Sequence, residues 1–268
     1  MMDWKQFAKT LFELEDADPG YMMLGRVKLP TAQKQRFMTA WCAFYNPGIA
    51  AKASEYEGDK FWRYLEIQYG TAKRASERRH FRGKAGLDAL AAWQDRFVLP
   101  ENMVKYLTAP DFFKVQYKSK EVPQIGTYFV WKFADVQERV FRVPCHFPPL
   151  AAKHSPGVPQ QGAKQIAPDL EVGETYTMIA DYLNDLGMRS PPWYDRAMNM
   201  QEAETVCCVY KQYVHGKWCE HSRTAKATRS LLATPSDTGE ALLKTLHSRT
   251  GIRRKEMDAW QQNILANI

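Results

Sequence analysis

The sequence contains no run of about 18 apolar residues, which argues against a membrane-spanning helix. It also lacks a GxGxxG pattern and a Walker loop, so nothing in it indicates a nucleotide cofactor. Alternating strand patterns are scarce, and we find neither an internal repeat nor a low-complexity tail. The five cysteines are an odd number without the spacing of a disulfide framework, which favours a reducing cytoplasm.

Positive charge and aromatic side chains are abundant instead. Lys and Arg number 37 against 30 Asp and Glu, which gives a formal net charge of +7 over 268 residues. Hydrophobic residues make up 45% of the chain and aromatic residues 13%, enough to build a large core and to stack on bases. A basic globular protein is biased towards polyanions, above all nucleic acid, although a soluble basic enzyme would carry the same charge.

Helical spacing of the hydrophobic residues dominates the sequence, so we predict an all-α fold with at most one short two-stranded element. Asp3 is placed to cap a first helix, which reads as amphipathic and not as a signal peptide. The best strand candidate is "GTYFVW" at 126–131. The other predicted helix starts and spans are Thr31, Asp59, 84–97, Pro100, 172–187, 200–214, 222–233 and 236–265.

Five prolines fall in the stretch 147–169, "FPPLAAKHSPGVPQQGAKQIAPD". We expect a long irregular segment there, and a functional loop rather than a linker between domains. The chain is therefore predicted to form a single helical domain over residues 1–268. A division into two lobes, at about 1–120 and 121–268, is the alternative.

A basic run, "SERRHFRG" at 76–83, is preceded by Lys73 and Arg74 and followed by Lys84. Packing six cations together is unfavourable, because like charges repel one another at short range. A chain tolerates that repulsion where an anion is bound among the cations. We therefore predict an anion-binding site in this run.

The segment 125–147 combines a tight turn at Gly126 with a following amphipathic helix, the arrangement of a helix-hairpin-helix motif. The amides of such a hairpin point at a DNA phosphate, and the helix N-terminus adds partial positive charge. Lys132 and Asp135 are three residues apart and therefore share a helix face. An ordinary helical hairpin with one surface ion pair explains the segment equally well, since no second hairpin glycine follows.

The stretch "QEAETVCCVYKQYVHGKW" at 201–218 places Glu204 and Lys211 seven residues apart, so both can face one cleft of a helical structure. A solvated amphipathic face is the simpler interpretation. Residues that could form a zinc site in this region are Cys207, Cys208, His215, Cys219 and His221. Their spacing matches no paired zinc pattern, so we favour buried thiols.

Four stretches together resemble the amino acid:DNA transferase family of bacteriophages, whose relatives are the alpha-glutamyl/putrescinyl thymine pyrophosphorylases. The most specific is "SERRHFRGKAG", and the resemblance extends from about residue 20 to about residue 220. It implies a fold related to the helix-hairpin-helix DNA glycosylases. The other three stretches are "AFYNPGIAAKASEYEGDKFW", "VWKFADVQERVFRVPCHF" and "EAETVCCVYK".

The resemblance implies hypermodification of thymine in phage DNA, in the cytoplasm of an infected bacterial host. A pyrophosphorylated 5-hydroxymethyluracil in double-stranded DNA would exchange its pyrophosphate for an amino acid or a polyamine. The anion bound by the basic run would then be pyrophosphate. No cofactor is predicted, although Mg²⁺ on the pyrophosphate is chemically reasonable.

The resemblance also implies roles for individual residues. Asp135 and Glu204 are candidate bases for the amine, and His80 is a candidate acid for the departing oxygen. Expected at the pyrophosphate and the DNA are Arg78, Arg79, Arg82, Lys84, Gly126 and Lys132. Expected at the target base or the co-substrate are Tyr45, Asn46, Glu77 and Lys211.

Two other functions remain open at this point. A glycosylase of the same fold is one, but the place after the hairpin helix where such enzymes carry an Asp reads "VPCHF", without a carboxylate. A non-catalytic DNA-binding protein is the other. It would account for the charge and the hairpin but not for the clustered acids and histidine.

Overall fold

A computed structural model describes residues 2–71 and 81–246. Its regular elements in these ranges are helices, which confirms the predicted all-α class, and none of them is both long and apolar enough to span a bilayer. A 3₁₀ helix covers Pro149–His154. The α-helices are α1 (Trp4–Glu13), α2 (Pro19–Arg26), α3 (Thr31–Phe44), α4 (Pro47–Ser54), α5 (Gly58–Thr71), α6 (Gly83–Phe97), α7 (Glu101–Leu107), α8 (Phe112–Ser119), α9 (Thr127–Arg139), α10 (Gly157–Ile166), α11 (Val172–Asp185), α12 (Met200–Val214), α13 (Ser222–Ala233) and α14 (Asp237–Leu246).

Most helix starts follow the signals seen in the sequence. Asp3 caps α1 by accepting a hydrogen bond from the backbone N–H of Gln6 at 2.8 Å. Thr31 begins α3, and Pro100 occupies the position before α7. Asp59 was predicted as a cap, but α5 already begins at Gly58, so this acid lies in the first turn. There its charge still faces the positive end of the helix dipole.

The proposed strand "GTYFVW" is wrong, because these residues form the start of α9. Every side chain from Phe129 to Gln137 is buried, so the helix has no solvent-exposed face, and its first turns lack the polar positions that would reveal a helical period. Aromatic and β-branched residues in such a run imitate a buried strand. In place of a two-stranded element, the described ranges contain two isolated bridges, Asp111 with His146 and Arg189 with Ala197.

The long irregular segment expected at 147–169 is also wrong in large part. It contains the 3₁₀ helix and α10, and four of its five prolines fall just before these elements or in their first turns, while Pro168 follows α10. Proline is tolerated there because the first N–H groups of a helix have no intrahelical partner. The count of prolines was therefore a poor guide, since their positions mark helix starts.

The described residues divide into two compact units, each assembled from three separate stretches of chain. The first unit contains the chain up to Gly25, Ala109–Gln116 and Thr127–Thr224. The second contains Arg26–Thr108, Tyr117–Gly126 and the chain from Ala225. The single helical domain over residues 1–268 and its alternative, two lobes divided at about residue 120, both stay predictions.

In the first unit, α12 packs against α1, α10 and α11. The approach of α10 to α12 is close enough to require glycine. A Cβ atom added at Gly162 would lie 1.9 Å from the backbone oxygen of Cys207. The two helices therefore meet backbone to backbone, which fixes the position of the N-terminal half of α12.

In the second unit, α3 packs against α4 and α7, α4 packs against α14, and α5 packs against α6. The side chain of Asn46 caps α4, accepting from the N–H of Ile49 at 3.0 Å and from the Ser230 hydroxyl at 2.7 Å. Gly48 lies so close to α13 that an added Cβ would be 2.0 Å from the Ser230 oxygen.

Candidate active site

Three charged side chains of the first unit lie on one face of α9 and are buried. Lys132, Asp135 and Arg139 are spaced three and four residues apart, so the helix stacks them in a row. The shared face of Lys132 and Asp135 agrees with the sequence analysis. The surface ion pair considered there does not form, because neither residue is at the surface and each has a different partner.

Lys132 pairs with Glu204 of α12, and its Nζ lies 3.0 Å from the Glu204 Oε2. The Glu204 side chain has 0% solvent exposure. Its other oxygen, Oε1, has no hydrogen-bond partner among the described residues. Burial raises the pKa of Glu204, although Lys132 acts in the opposite direction. The pair therefore presents one carboxylate oxygen that can still accept a proton or a hydrogen bond.

Arg139, one helical turn after Asp135, joins the carboxylates of Asp18 and Asp135. Its Nη1 lies 3.2 Å from the Asp18 Oδ2 and 3.4 Å from the Asp135 Oδ2, and its Nε donates to the Pro191 carbonyl at 3.1 Å. The guanidinium carbon lies 5.2 Å from the centre of the Tyr21 ring. Its Nη2 has no hydrogen-bond partner in the part of the chain that the structure describes.

The two carboxylates around Arg139 have different protonation behaviour. Burial raises the pKa of Asp135 to about 7, although Arg139 favours its charged form. Burial also acts to raise the pKa of Asp18, but the combined attraction of Lys132, Arg223 and Arg139 holds it below its ordinary value. Carboxylates whose pKa values are separated in this way are suited to different roles as acid, base and stabilising charge.

Asp18 connects the two parts of the network. The Thr205 hydroxyl donates to Asp18 Oδ2 at 2.9 Å and lies 3.5 Å from the Glu204 Oε2. Arg223 binds the other oxygen of Asp18 at 3.3 Å. Sequence reasoning missed Asp18, since an Asp just before Pro19 reads as a helix cap. It also missed Arg139, although its position four residues after Asp135 could have identified it.

Glu202, two residues before Glu204, shows what a fully satisfied buried acid looks like in this protein. Its Oε1 accepts from the Ser190 hydroxyl at 2.7 Å and from Arg196 at 2.9 Å. Its Oε2 accepts from the backbone N–H of Asn199 at 2.9 Å. Both oxygens are used, so Glu202 holds α12 in place, whereas Glu204 keeps one oxygen available.

Of the other predicted site residues, Arg82, Lys84 and Gly126 belong to the second unit and are exposed. Arg82 directly precedes α6, and its side chain does not cap that helix. Gly126 directly precedes α9, and a Cβ atom added to it would meet no other atom within 4 Å. Their roles at an anion stay predictions. Predicted site residues that lie outside the described residues are Glu77, Arg78, Arg79 and His80.

Three further candidates have partners of their own. Tyr45 ends α3 in the left-handed region, with φ of 51°, and its ring centre lies 5.5 Å from that of Trp41. The side-chain amide oxygen of Asn46 caps α4 by accepting a hydrogen bond from the Ile49 N–H. Lys211 donates to the Gln161 side chain, and its expected place beside Glu204 in one cleft stays a prediction. None of these positions tests the proposed substrate contacts.

Cysteines do not assemble a metal site here. Within the described ranges, no group of three or more His, Cys, Asp and Glu side chains is arranged to hold a metal ion. Cys207 is buried, and burial raises the pKa of its thiol well above the ordinary value. A thiol in that state is a poor nucleophile and a poor ligand. The buried thiol favoured from the sequence is therefore found at Cys207, whereas Cys208 is half-buried and Cys219 is exposed.

Comparisons with known proteins agree with the resemblance found in the sequence. The sequence profile of the amino acid:DNA transferase family matches residues 1–217. A putrescinyltransferase of Delftia phage PhiW-14 is 27% identical over 244 residues, covering 85% of this chain and 78% of that protein. A glycinyltransferase of Pseudomonas phage PaMx11 is 29% identical over 247 residues, covering 80% of this chain and 85% of that protein. The α9 and α12 residues of the charge network lie inside the matched region.

Proposed function

Because the chain belongs to the amino acid:DNA transferase family, we propose that it attaches an amino acid or amine to pyrophosphorylated 5-hydroxymethyluracil in phage DNA, displacing pyrophosphate. The two phage relatives are named for putrescinyl and glycinyl groups, one derived from a diamine and one from an amino acid. Either chemical class could serve as co-substrate here. The reaction would take place in the cytoplasm of the infected host.

The proposed reaction needs a base. The bond between the 5-methylene carbon and the pyrophosphate oxygen breaks, and its electron pair leaves with the oxygen. The nitrogen lone pair of the co-substrate forms the new bond to that carbon. The nitrogen must be neutral when it attacks and must lose a proton afterwards, so a nearby carboxylate accelerates both steps.

Glu204 is the strongest candidate for this base, and its unpartnered Oε1 is the observation that most supports the proposal. A buried carboxylate oxygen without a hydrogen-bond partner is costly, and such atoms concentrate where a ligand supplies the missing contact. Lys132 holds the other oxygen at 3.0 Å and fixes the orientation of the carboxylate. Asp135, with its pKa near 7, is placed to store or release a proton at neutral pH.

Burial of the network fits the chemistry in a second respect. Loss of pyrophosphate leaves an electron-poor carbon, which water can attack in place of the amine because water is present at far higher concentration. Glu204 and Asp135 both have 0% solvent exposure, so neighbouring groups must move before a substrate can reach them. Exclusion of water until then would favour transfer over hydrolysis.

The leaving group requires cations. Pyrophosphate carries several negative charges, and arginine side chains that are already in position stabilise the charge that grows as it departs. Arg82 and Lys84 are exposed and available for this role in the second unit. We propose that they act with Arg78 and Arg79, and that His80 protonates the departing oxygen.

Nucleoside mass spectrometry tests the proposal directly. The protein is incubated with DNA carrying pyrophosphorylated 5-hydroxymethyluracil and a mixture of amino acids and putrescine. A new thymidine adduct is expected. An abasic site would indicate a glycosylase instead, and unchanged DNA would indicate a binding protein without this activity.

A variant pair then tests the proposed base. Glu204→Gln should lower the rate of transfer at least about 100-fold, the usual effect of removing a general base. Asp181→Asn is the matched control, because it makes the same carboxylate-to-amide change at an exposed position of α11. Full activity of a folded Glu204→Gln variant would rule out this role.

A further inference from the structure

Trp193 lies in the loop between α11 and α12, and its side chain is unusually exposed for a tryptophan, at 37%. Its ring is paired with Arg142, whose guanidinium carbon lies 5.1 Å from the ring centre. The Arg142 side chain is itself 61% exposed. The surface therefore presents a flat ring with a cation stacked on it.

The loop is held firmly rather than left free. The Ser190 N–H donates to the Arg196 carbonyl at 3.0 Å, and the Tyr194 N–H donates to the Ser190 carbonyl at 2.8 Å. Arg142 pairs with Asp195 at 2.7 Å. The Trp193 ring is thus fixed at the surface before any ligand arrives, so a partner that stacks on it loses little free energy to ordering the protein.

The loop is attached to the same arginine that organises the buried network. Trp193 Nε1 donates to the Arg139 carbonyl at 2.9 Å, and Arg139 Nε donates to the Pro191 carbonyl at 3.1 Å. Arg142 follows Arg139 by three residues. The exposed ring and the buried carboxylates are therefore linked through one residue, at the C-terminal end of α9.

We infer that Trp193 and Arg142 form a stacking platform for an unpaired base of the DNA substrate next to the active site. The inference rests on the proposed function, because chemistry on a base draws that base out of the helical stack. Bases stack on exposed aromatic rings regardless of sequence, and an arginine at the ring adds a cation for the neighbouring phosphate.

A binding measurement with a fluorescent base tests the platform. The probe is an end-labelled duplex with an unpaired 2-aminopurine next to the target thymine, whose anisotropy reports affinity and whose quenching reports stacking. Trp193→Ala should weaken binding by about 5- to 100-fold and abolish the quenching. Trp193→Phe should keep most of the quenching, because it keeps an aromatic face while losing the Nε1 hydrogen bond.

Tyr117→Ala is the matched control, since it removes an aromatic side chain that is 69% exposed and lies in the second unit. It should bind and quench like the wild type. If Trp193→Ala does not fold, as judged by circular dichroism, Arg142→Ala decides and should weaken both signals. Wild-type affinity and quenching in a folded Trp193→Ala or Arg142→Ala variant would overturn the inference, and this ring would then suit a protein partner.

The same experiment separates the platform from the proposed function. A wild-type protein that quenches the probe through Trp193 but forms no thymidine adduct keeps the platform and refutes the transfer. Alternatively, the wild-type protein forms the adduct, and the Trp193→Ala variant forms it and quenches the probe equally well. That result would support the transfer and refute the platform.

Discussion

Removal of one member of the Lys132–Glu204 pair should destabilise the protein far more than removal of both. The two charges are 3.0 Å apart, with exposed fractions of 7% and 0%. At that separation and an effective dielectric constant of about 20, their attraction is about 5 kcal/mol. Breaking a buried pair from one side costs about 3–5 kcal/mol, because it leaves the other charge buried without its partner. Lys132→Met should therefore cost several kcal/mol of unfolding free energy at pH 8.

The double variant Lys132→Met/Glu204→Leu has no such orphan charge. It should lose less stability than either single variant, and therefore at least about 2 kcal/mol less than the sum of the two single costs. It will not be neutral, because Lys132 also attracts Asp18. Urea denaturation followed by circular dichroism measures all four proteins of the cycle. The reasoning would be refuted if each single variant lost less than about 1 kcal/mol of unfolding free energy and the double variant lost the sum of the two. Such small, additive losses would mean that the pair is effectively solvated.

The pH dependence of the single variant provides an independent check. In Lys132→Met, the buried Glu204 can escape its penalty by taking up a proton, so its pKa in the folded state is raised further. Its contribution to stability is then lost as pH rises above the ordinary value of 4.5, at about 1.4 kcal/mol per pH unit. The variant should approach wild-type stability near pH 5 and differ most at pH 8. An equal cost at both values would contradict a buried unpaired carboxylate.

Three further outcomes follow from single residues. Asp135 has a folded pKa of about 7 against an ordinary 3.8, so the stability of the wild-type protein falls as pH rises through this window. Between pH 5 and 8 the unfolding free energy of Asp135→Asn, measured by urea titration, should therefore rise by about 3 kcal/mol relative to that of the wild type. A difference that stays constant with pH would contradict this expectation. Gly162→Ala places a Cβ 1.9 Å from the Cys207 oxygen and should cost about 1–3 kcal/mol, seen as a lower melting temperature. Arg82→Ala removes an exposed cation and should leave the melting temperature unchanged while lowering transfer about 100-fold; normal turnover at saturating DNA would limit Arg82 to DNA binding.

The helices could be predicted from the sequence where one face is apolar and the other polar. α1 and α11 are of this kind, since each buries one stripe of side chains and exposes the other. α9 was harder, because it is buried nearly all round and its aromatic start resembles a strand. The prediction of an irregular segment at 147–169 failed for a different reason. The number of prolines there suggests a loop, whereas most of these prolines lie at helix starts, where proline is tolerated.

The candidate site was predictable only in part, because spacing along one helix does not determine partners on another. Lys132, Asp135 and Glu204 are all candidate site residues in the sequence, but nothing there predicts that Lys132 pairs with Glu204. Its actual partner is 72 residues away in the sequence. Asp18 and Arg139 are separated by 121 residues, and only the tertiary fold brings them together.

The closure of the first unit by its most distant segments has a consequence for the synthesis of the protein. Asp16 accepts hydrogen bonds from the Trp218 indole at 2.9 Å, across 202 residues, and from the backbone N–H of Thr224 at 2.8 Å. A ribosome adds about 5–20 residues per second, so α1 leaves it about 10–40 s before these partners exist. The apolar face of α1 cannot be covered by α12 during that time. The nascent chain therefore carries this apolar face without its native cover until the segment 218–224 has been synthesised.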